Sequence, residues 1–411
     1  MMQTDLLIIG AGPGGYRAAE YAAHEGLQVV IVEQDEVGGT CLNRGCIPTK
    51  TYVHSASFAE AFERQQQVVA QLRSGVEAIL SQPNITLLRG HAEFVDANTV
   101  RVGEETVAAK NIIIATGSSA KMPPIEDIND PRVMTSTELL QLSAQPKRLC
   151  IIGAGVIGME FASVFHRFGT EVTVIEFLKE CLPMLDSDVA KRLRKLLEKR
   201  GIEFKMKTAV QKVADLDADV ILIATGRKAN TEGLNLEAAG IALAPNGTIP
   251  VDDNYQIVNS KCYAIGDVNG RQMLAHAAEM QAMRVVNQIV GKSDGIRFDI
   301  MPAAIFTEPE AACVGPSEDQ LKADGIAYQC RKSFWRANGK ALAMNETEGL
   351  LKLFADTEGR LLGCHAFGAH AADLVQEVSV LMCRDTTLSQ LRDMVHIHPT
   401  LSEVLKTAAE G

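Results

Sequence analysis

No run of 18 apolar residues occurs in this 411-residue sequence, which leaves no candidate for a membrane-spanning helix. Positive charge is in deficit. The formal net charge of −11 argues against nucleic-acid backbones and anionic membrane surfaces as partners. Low-complexity segments and long charge runs are missing too. Cysteine is present, but nine residues, an odd number scattered widely, do not read as the paired staples of a secreted domain. Met1 to Asp5 lead straight into an apolar strand, so no signal or transit peptide is expected. A reducing, cytoplasmic setting is the expectation, and a disulfide there is usually catalytic. The remainder, 46% apolar and 22% charged, describes a globular chain with length for two or three domains.

The stretch that organises the rest is Gly38-Gly39-Thr40-Cys41-Leu42-Asn43-Arg44-Gly45-Cys46-Ile47-Pro48-Thr49-Lys50. A disulfide across so short a loop contributes about 2 kcal/mol by loop entropy. A chain of this size does not need that staple. Two packed, unpaired cysteines are the plain alternative for an arbitrary pair at this spacing. The surroundings favour a redox dithiol, in which one thiolate attacks and its neighbour resolves the mixed disulfide.

Upstream, residues 6–9 form an apolar run that feeds Gly10-Ala11-Gly12-Pro13-Gly14-Gly15. An amphipathic stretch over 16–25 predicts a helix, and 29–32 predicts a second strand ending at Glu33. This is a βαβ unit with glycine spacing for a dinucleotide and an acidic residue placed for ribose hydroxyls. The pyrophosphate would rest on the helix start. The unit recurs. Gly10, Gly12, Gly15 and Glu33 each reappear 143 residues later, as Gly153, Gly155, Gly158 and Glu176. Each unit also closes on an apolar strand ending in Ala-Thr-Gly, at Ala115-Thr116-Gly117 and Ala224-Thr225-Gly226. Two such units predict two dinucleotides, flavin and nicotinamide. The first carries the insert with the cysteines and a polar helical run over 55–80.

Further on, Cys262 to Asp267 reads as a strand that presents Asp267 at its end, either to a ligand or as a cap for the helix that follows Gln272. That helix opens at Met273-Leu274-Ala275-His276 and runs to about residue 290. The pattern resets at 291–297, where a domain boundary is expected. The remainder alternates strands (350–354) with helices (371–383) as an α+β domain. Near the end stands His396-Ile397-His398-Pro399-Thr400-Leu401-Ser402-Glu403. Thr400 and Glu403 have the spacing of a capping box, so Glu403 has a purely structural alternative, and His398 could be an ordinary loop residue. With a dithiol upstream a base is needed, and His398 oriented by a carboxylate suits.

Taken together, the cysteine stretch, the paired fingerprints, Ile265-Gly266-Asp267, the Met273–Ala278 stretch, the 306–315 stretch and the histidine motif resemble the flavin-dependent disulfide reductases of the class I pyridine nucleotide-disulfide oxidoreductase family, specifically the dihydrolipoamide dehydrogenases. The likeness covers nearly the whole chain. It implies an α/β fold with two Rossmann-like dinucleotide-binding domains, for FAD and NAD, plus a C-terminal α+β dimerisation domain. The expected divisions are 1–118 for the first part of the FAD domain, 119–246 for the NAD domain, 247–292 for the return to the FAD domain and 293–411 for the interface domain. By resemblance, Cys41 exchanges with substrate and Cys46 faces the flavin. His398 and Glu403 serve as base and orienter for the other subunit of a homodimer. Lys50 lies near the flavin and pairs with Glu160. The flavin contacts the Gly10, Gly12 and Gly15 loop, Glu33, Thr40, Ala115, Thr116, Gly117, Asp267 and the backbone of Met273, Leu274, Ala275 and His276. The nicotinamide nucleotide uses Gly153, Gly155, Gly158, Glu176 and Gly226.

Glu176 with no arginine close behind it predicts NAD over NADP, because a carboxylate accepts from a 2′-hydroxyl and repels a 2′-phosphate. No C-terminal cysteine pair is present, which argues against mercuric and thioredoxin reductases. The implied partner is a lipoylated carrier protein of a 2-oxoacid dehydrogenase or glycine cleavage complex. The alternatives are another NAD(P)H-linked small-molecule disulfide reductase, glutathione reductase-like or acting on a coenzyme-A-type disulfide, and a non-catalytic flavin-containing assembly subunit. The chain also looks shortened after Lys50, at 103–106 and between 204 and 219. Arg44 stands where a small apolar residue is expected. It either adds positive charge near the sulfurs or points to solvent.

Overall fold

In the computed structural model, which describes residues 1–258 and 260–411, three main sheets carry the chain. The first grows from the opening apolar run. Strand Met2–Ile9 lies parallel between Val29–Glu33 and Glu105–Ile114, and Ile85–Arg89 extends the sheet beyond Val29–Glu33. Leu6, Leu7 and Ile8 are fully buried, which is why the strand reads as a continuous apolar run rather than an alternating one. Strands Ala92–Asp96 and Thr99–Val102 add antiparallel to Glu105–Ile114, with a tight turn at Gly103 and Glu104. Much later in sequence, Cys262–Ala264 returns to pair with Glu105–Ile114.

The second sheet repeats the first. Arg148–Ile152 lies between Glu171–Glu176 and Val220–Ile223, with Glu203–Met206 and Val133–Met134 at the edges, all parallel. The repeat extends to single bonds. Gly10 and Ala115 donate their amides to Val32 and Ile9 at 2.8 Å, and Gly153 and Ala224 donate to Ile175 and Ile152 at the same distance. Between Met206 and Val220 there is no strand, only the short turn Val213–Asp215. The region that the sequence marks as shortened therefore carries no ribbon. A two-stranded antiparallel ribbon, Ser118–Ala120 with Arg227–Ala229, ties the two units together.

The third sheet is antiparallel, ordered Ala303–Ile305, Ala311–Val314, Leu361–Phe367, Leu350–Ala355, Gln329–Phe334. Helices Ala371–Met382 and Glu403–Glu410 share one apolar core with it.

Several boundaries differ from the sequence reading. The first helix runs Pro13–His24, starting three residues early because proline at the first turn has no amide to lose. The long helix is Phe58–Leu80, started by the Ser57 hydroxyl accepting from the Glu60 amide. Helix Pro13–His24 packs against Ala275–Ile289 through small residues. A Cβ on Gly14 would stand 3.2 Å from that of Ala278. This close crossing brings the start of the later helix over the first glycine loop.

Candidate active site

One cavity of about 1820 Å³ reaches both glycine loops and both cysteines. At its two ends the backbone is built alike. Gly10 and Gly153 have φ of +102° and +108°, and a Cβ on either would collide with the carbonyl of Ala115 or Ala224. Only glycine serves there. Glu33 accepts from the amides of Ala11 and Asp35 at 2.7 and 2.8 Å, and Glu176 accepts from Ala154 and Leu178 at 2.6 and 2.7 Å. Each carboxylate spends lone pairs on shaping its own turn and keeps others facing the cavity, where a ribose hydroxyl would donate.

Most of the residues singled out in the sequence line this cavity: Gly10, Gly12, Glu33, Thr40, Cys41, Cys46, Lys50, Ala115 to Gly117, Gly153, Gly155, Glu160, Glu176, Gly226, Asp267 and Met273 to His276. Gly15 and Gly158 do not. A Cβ on Gly15 would lie 1.8 Å from the Gly10 carbonyl, and on Gly158 2.0 Å from that of Gly153. At these positions the absence of a Cβ lets each helix close onto its strand, beneath the cavity wall. Asp267 sits on the short turn Gly266–Asn269 and accepts from the Ser118 hydroxyl at 2.5 Å. The later helix begins beyond Leu274 with no side-chain cap, so the capping alternative for Asp267 falls away.

Two partners of this turn were not singled out in the sequence. Arg227 donates to the Ser118 hydroxyl and carbonyl, both at 2.6 Å, and stands 3.7 Å from Asp267. The available signal was position, since Ser118 and Arg227 each follow an Ala-Thr-Gly.

The cysteines flank a break between two short helices, Gly39–Arg44 and Cys46–Val53. Gly45 is required at the break, because a Cβ there would lie 2.9 Å from the Thr40 carbonyl. Cys46 is exposed into the cavity, and Cys41 is half-buried. The thiols titrate in opposite directions. The hydrogen bond between them and burial push Cys41 far up. The same hydrogen bond, helped by the Lys50 charge and opposed by burial, brings Cys46 down to about 7. Lys50 Nζ holds both Glu160 oxygens at 2.9 Å and lies 4.7 Å above the Phe306 ring. Glu160, nearly fully buried, also accepts from the Phe306 amide. Arg44 turns away to an ion pair with Asp35, whose carboxyl it holds below its usual range. Its charge is spent on that carboxylate.

His398 and Glu403 lie outside the cavity lining. His398 is 78% exposed on the loop 394–402, and its Nδ1 donates to Glu403 Oε1 at 3.0 Å, leaving Nε2 free to take a proton. The capping box is only half formed. Glu403 Oε2 accepts from the Thr400 amide at 3.0 Å, but the Thr400 hydroxyl donates to the Ile397 carbonyl instead. The helix starts at Glu403 itself. Glu403 therefore orients the histidine and braces the turn together.

A cleft with a dinucleotide cradle at each end and a dithiol between them defines a nucleotide-linked disulfide oxidoreductase. Comparison with known proteins narrows the class. Residues 4–282 match the model "Pyridine nucleotide-disulphide oxidoreductase", and 301–409 match that family's dimerisation domain. Pea mitochondrial dihydrolipoyl dehydrogenase is 36% identical, with 99% of this chain and 91% of the relative covered. Soybean leghemoglobin reductase is also 36% identical, covering 99% and 87%. A copper(II) complex of the HOCl-induced flavoprotein disulfide reductase RclA from Escherichia coli superposes with a TM-score of 0.94 at 32% identity, covering 100% of this chain and 99% of that one. The chain belongs to the pyridine nucleotide-disulphide oxidoreductase family, and it is a flavoprotein disulfide oxidoreductase that uses FAD and NAD(H). The alignment with the pea enzyme runs over 455 positions against 411 residues here, so the shortening is internal. Among the described residues no helix is long and apolar enough to cross a membrane, and no cluster of side chains would hold a metal ion.

Proposed function

We propose that this protein oxidises protein-bound dihydrolipoamide to lipoamide with NAD⁺ as acceptor, as a homodimer whose subunits share each active site. The observation that carries the reading is the Cys41–Cys46 dithiol opening into a cavity that joins both dinucleotide cradles. The partner subunit's His398 takes a proton from a substrate thiol. The thiolate attacks Cys41 Sγ of the oxidised pair, and Cys46 leaves as a thiolate. The second substrate thiol displaces Cys41 and releases the substrate disulfide. Bound FAD supplies the relay of the electron pair from the dithiol to the nicotinamide. Lys50, anchored by Glu160, keeps positive charge beside Cys46 and favours its thiolate. The glycine loops, Glu33 and Glu176 hold the two nucleotides, and Glu176 favours a 2′-hydroxyl over a 2′-phosphate.

Cys46→Ser is expected to abolish lipoamide turnover and the long-wavelength band of the reduced enzyme. Retention of both would reject the assignment. His398→Gln is expected to slow dithiol oxidation by about 10²-fold, the scale of general-base removal. An unchanged rate would take His398 out of the mechanism.

The likeness to RclA supports a second reading, in which electrons run the other way, from NADH through the same dithiol to an oxidised acceptor. Steady-state rates with dihydrolipoamide and NAD⁺, set against NADH with a panel of disulfides and copper(II), separate the two.

A further inference from the structure

Within its own subunit the base loop makes few apolar contacts. Val395 is 100% exposed and Ile397 79% exposed. What holds it to its own subunit is a set of polar anchors. Within the loop, His396 Nδ1 donates to the Met394 carbonyl at 3.1 Å and Thr400 is held by Glu403. From outside, Asn338 donates its side-chain amide to the Thr400 carbonyl at 3.0 Å. The remaining anchor is Glu377, on helix Ala371–Met382. Its Oε2 accepts from the Ser402 hydroxyl at 2.9 Å, and its Oε1 faces His396 Nε2 at 3.7 Å. The His396 ring is tucked against the domain, only 6% exposed, while the His398 ring two residues on projects from the surface of its own subunit.

We infer that Glu377 is a positioning residue for the base. One carboxylate, fixed on a packed helix, accepts from the chain four residues after His398 and stands close to the ring two residues before it. The inference rests on the reading that His398 deprotonates a dithiol. Neither Glu377 nor Ser402 touches the cavity, the thiols or the nucleotide cradles. Losing the grip therefore leaves the flavin and nicotinamide ends intact and lets the His398 loop move. A shift of about 1 Å in a reacting group is enough to cost an order of magnitude or more.

The test uses stopped-flow reduction of the FAD-loaded dimer, first by dihydrolipoamide and separately by NADH. Glu377→Ala is expected to slow reduction by the dithiol about 10-fold or more and leave reduction by NADH unchanged. Glu377→Gln, which keeps an acceptor for Ser402, recovers most of the rate. On a His398→Gln background, Glu377→Ala has no further effect. Ser402→Ala carries the same expectation by the gentlest cut and serves if Glu377→Ala does not assemble. Equal slowing of both half-reactions, or of neither, overturns the inference. If dihydrolipoamide does not reduce the wild-type protein, the lipoyl reading fails on its own, and the same comparison is made with dithiothreitol. Failure of that dithiol too overturns the role of Glu377 along with that of His398.

Discussion

Cys41 and Cys46 are chemically the same residue five positions apart, and their surroundings make them different reagents. The hydrogen bond from Cys41 lowers Cys46, and Lys50 adds to it. Burial and the Glu160 carboxylate work the other way, and the balance is about 7. Cys46 therefore forms its thiolate more readily than an ordinary thiol, and loses it as the pH falls. Lys50→Met removes the cation that helps lower Cys46 and leaves Glu160 facing the thiol. The pH midpoint of the long-wavelength band of the reduced enzyme is then expected to move upward. A midpoint that stays or falls would mean that Lys50 does not act on Cys46 through its charge. The same contrast separates the glycines. Gly10 and Gly15 look interchangeable in the motif, yet one shapes the cavity wall and the other packs beneath it.

At the scale of elements, the helix that starts at Cys46 is clamped to the second nucleotide unit. Lys50 reaches Glu160 on helix Val156–Arg167, and Tyr52 stacks on Phe165 of the same helix, ring centres 6.4 Å apart. Phe58, Phe161 and Phe168 fill in around Phe165. Arg167 then caps the end of the redox helix, donating to the carbonyls of Tyr52, Val53 and Ser55 at 2.6–3.0 Å. A cation at a helix C-terminus also suits the helix dipole. Phe165 is fully buried, so Phe165→Ala is expected to cost about 3–5 kcal/mol of stability. Denaturant unfolding with an unchanged slope would measure it, and a loss below about 1 kcal/mol would mean that the ring cluster collapses into the gap.

Across the whole molecule, the second nucleotide unit is tied to the C-terminal domain by a buried charge cluster. Lys352 Nζ contacts both Asp186 oxygens at 2.7 Å and Glu318 at 2.6 Å, and its side chain is 1% exposed. His365 accepts from the Asp186 amide at 2.9 Å and donates to the Gly315 carbonyl, and burial lowers its affinity for a further proton. The hydrogen bond from Lys352 lowers Glu318 from 4.5 to about 2. The folded-state value lies below the unfolded one. Glu318 therefore contributes stability that is fully present above about pH 4.5 and is lost as the pH falls toward 2. Lys352→Met leaves Asp186 buried without its cation. It is expected to destabilise the protein by about 3–5 kcal/mol at neutral pH and to flatten the acid limb of the stability curve. Partial recovery by adding Asp186→Asn is expected. A stable single variant with an unchanged acid limb would contradict this account.

What the sequence determined by itself is local or repeated. Buried parallel strands are apolar throughout, glycine turns admit no other residue, and a unit copied 143 positions on announces itself by its offset. From these the two nucleotide folds were legible, the dithiol from its setting beside them, and most of the cavity-lining set from the resemblance to a known family. Tertiary structure alone decided which glycine faces the cavity, that Arg44 is spent on Asp35, and that Ser118 and Arg227 hold the Asp267 turn. It also decided that Glu377 grips the base loop from another helix. These depend on where side chains distant in sequence point once packed. No periodicity or spacing encodes a contact between residues 109 or 149 positions apart, such as Arg227 or Asp267 with Ser118.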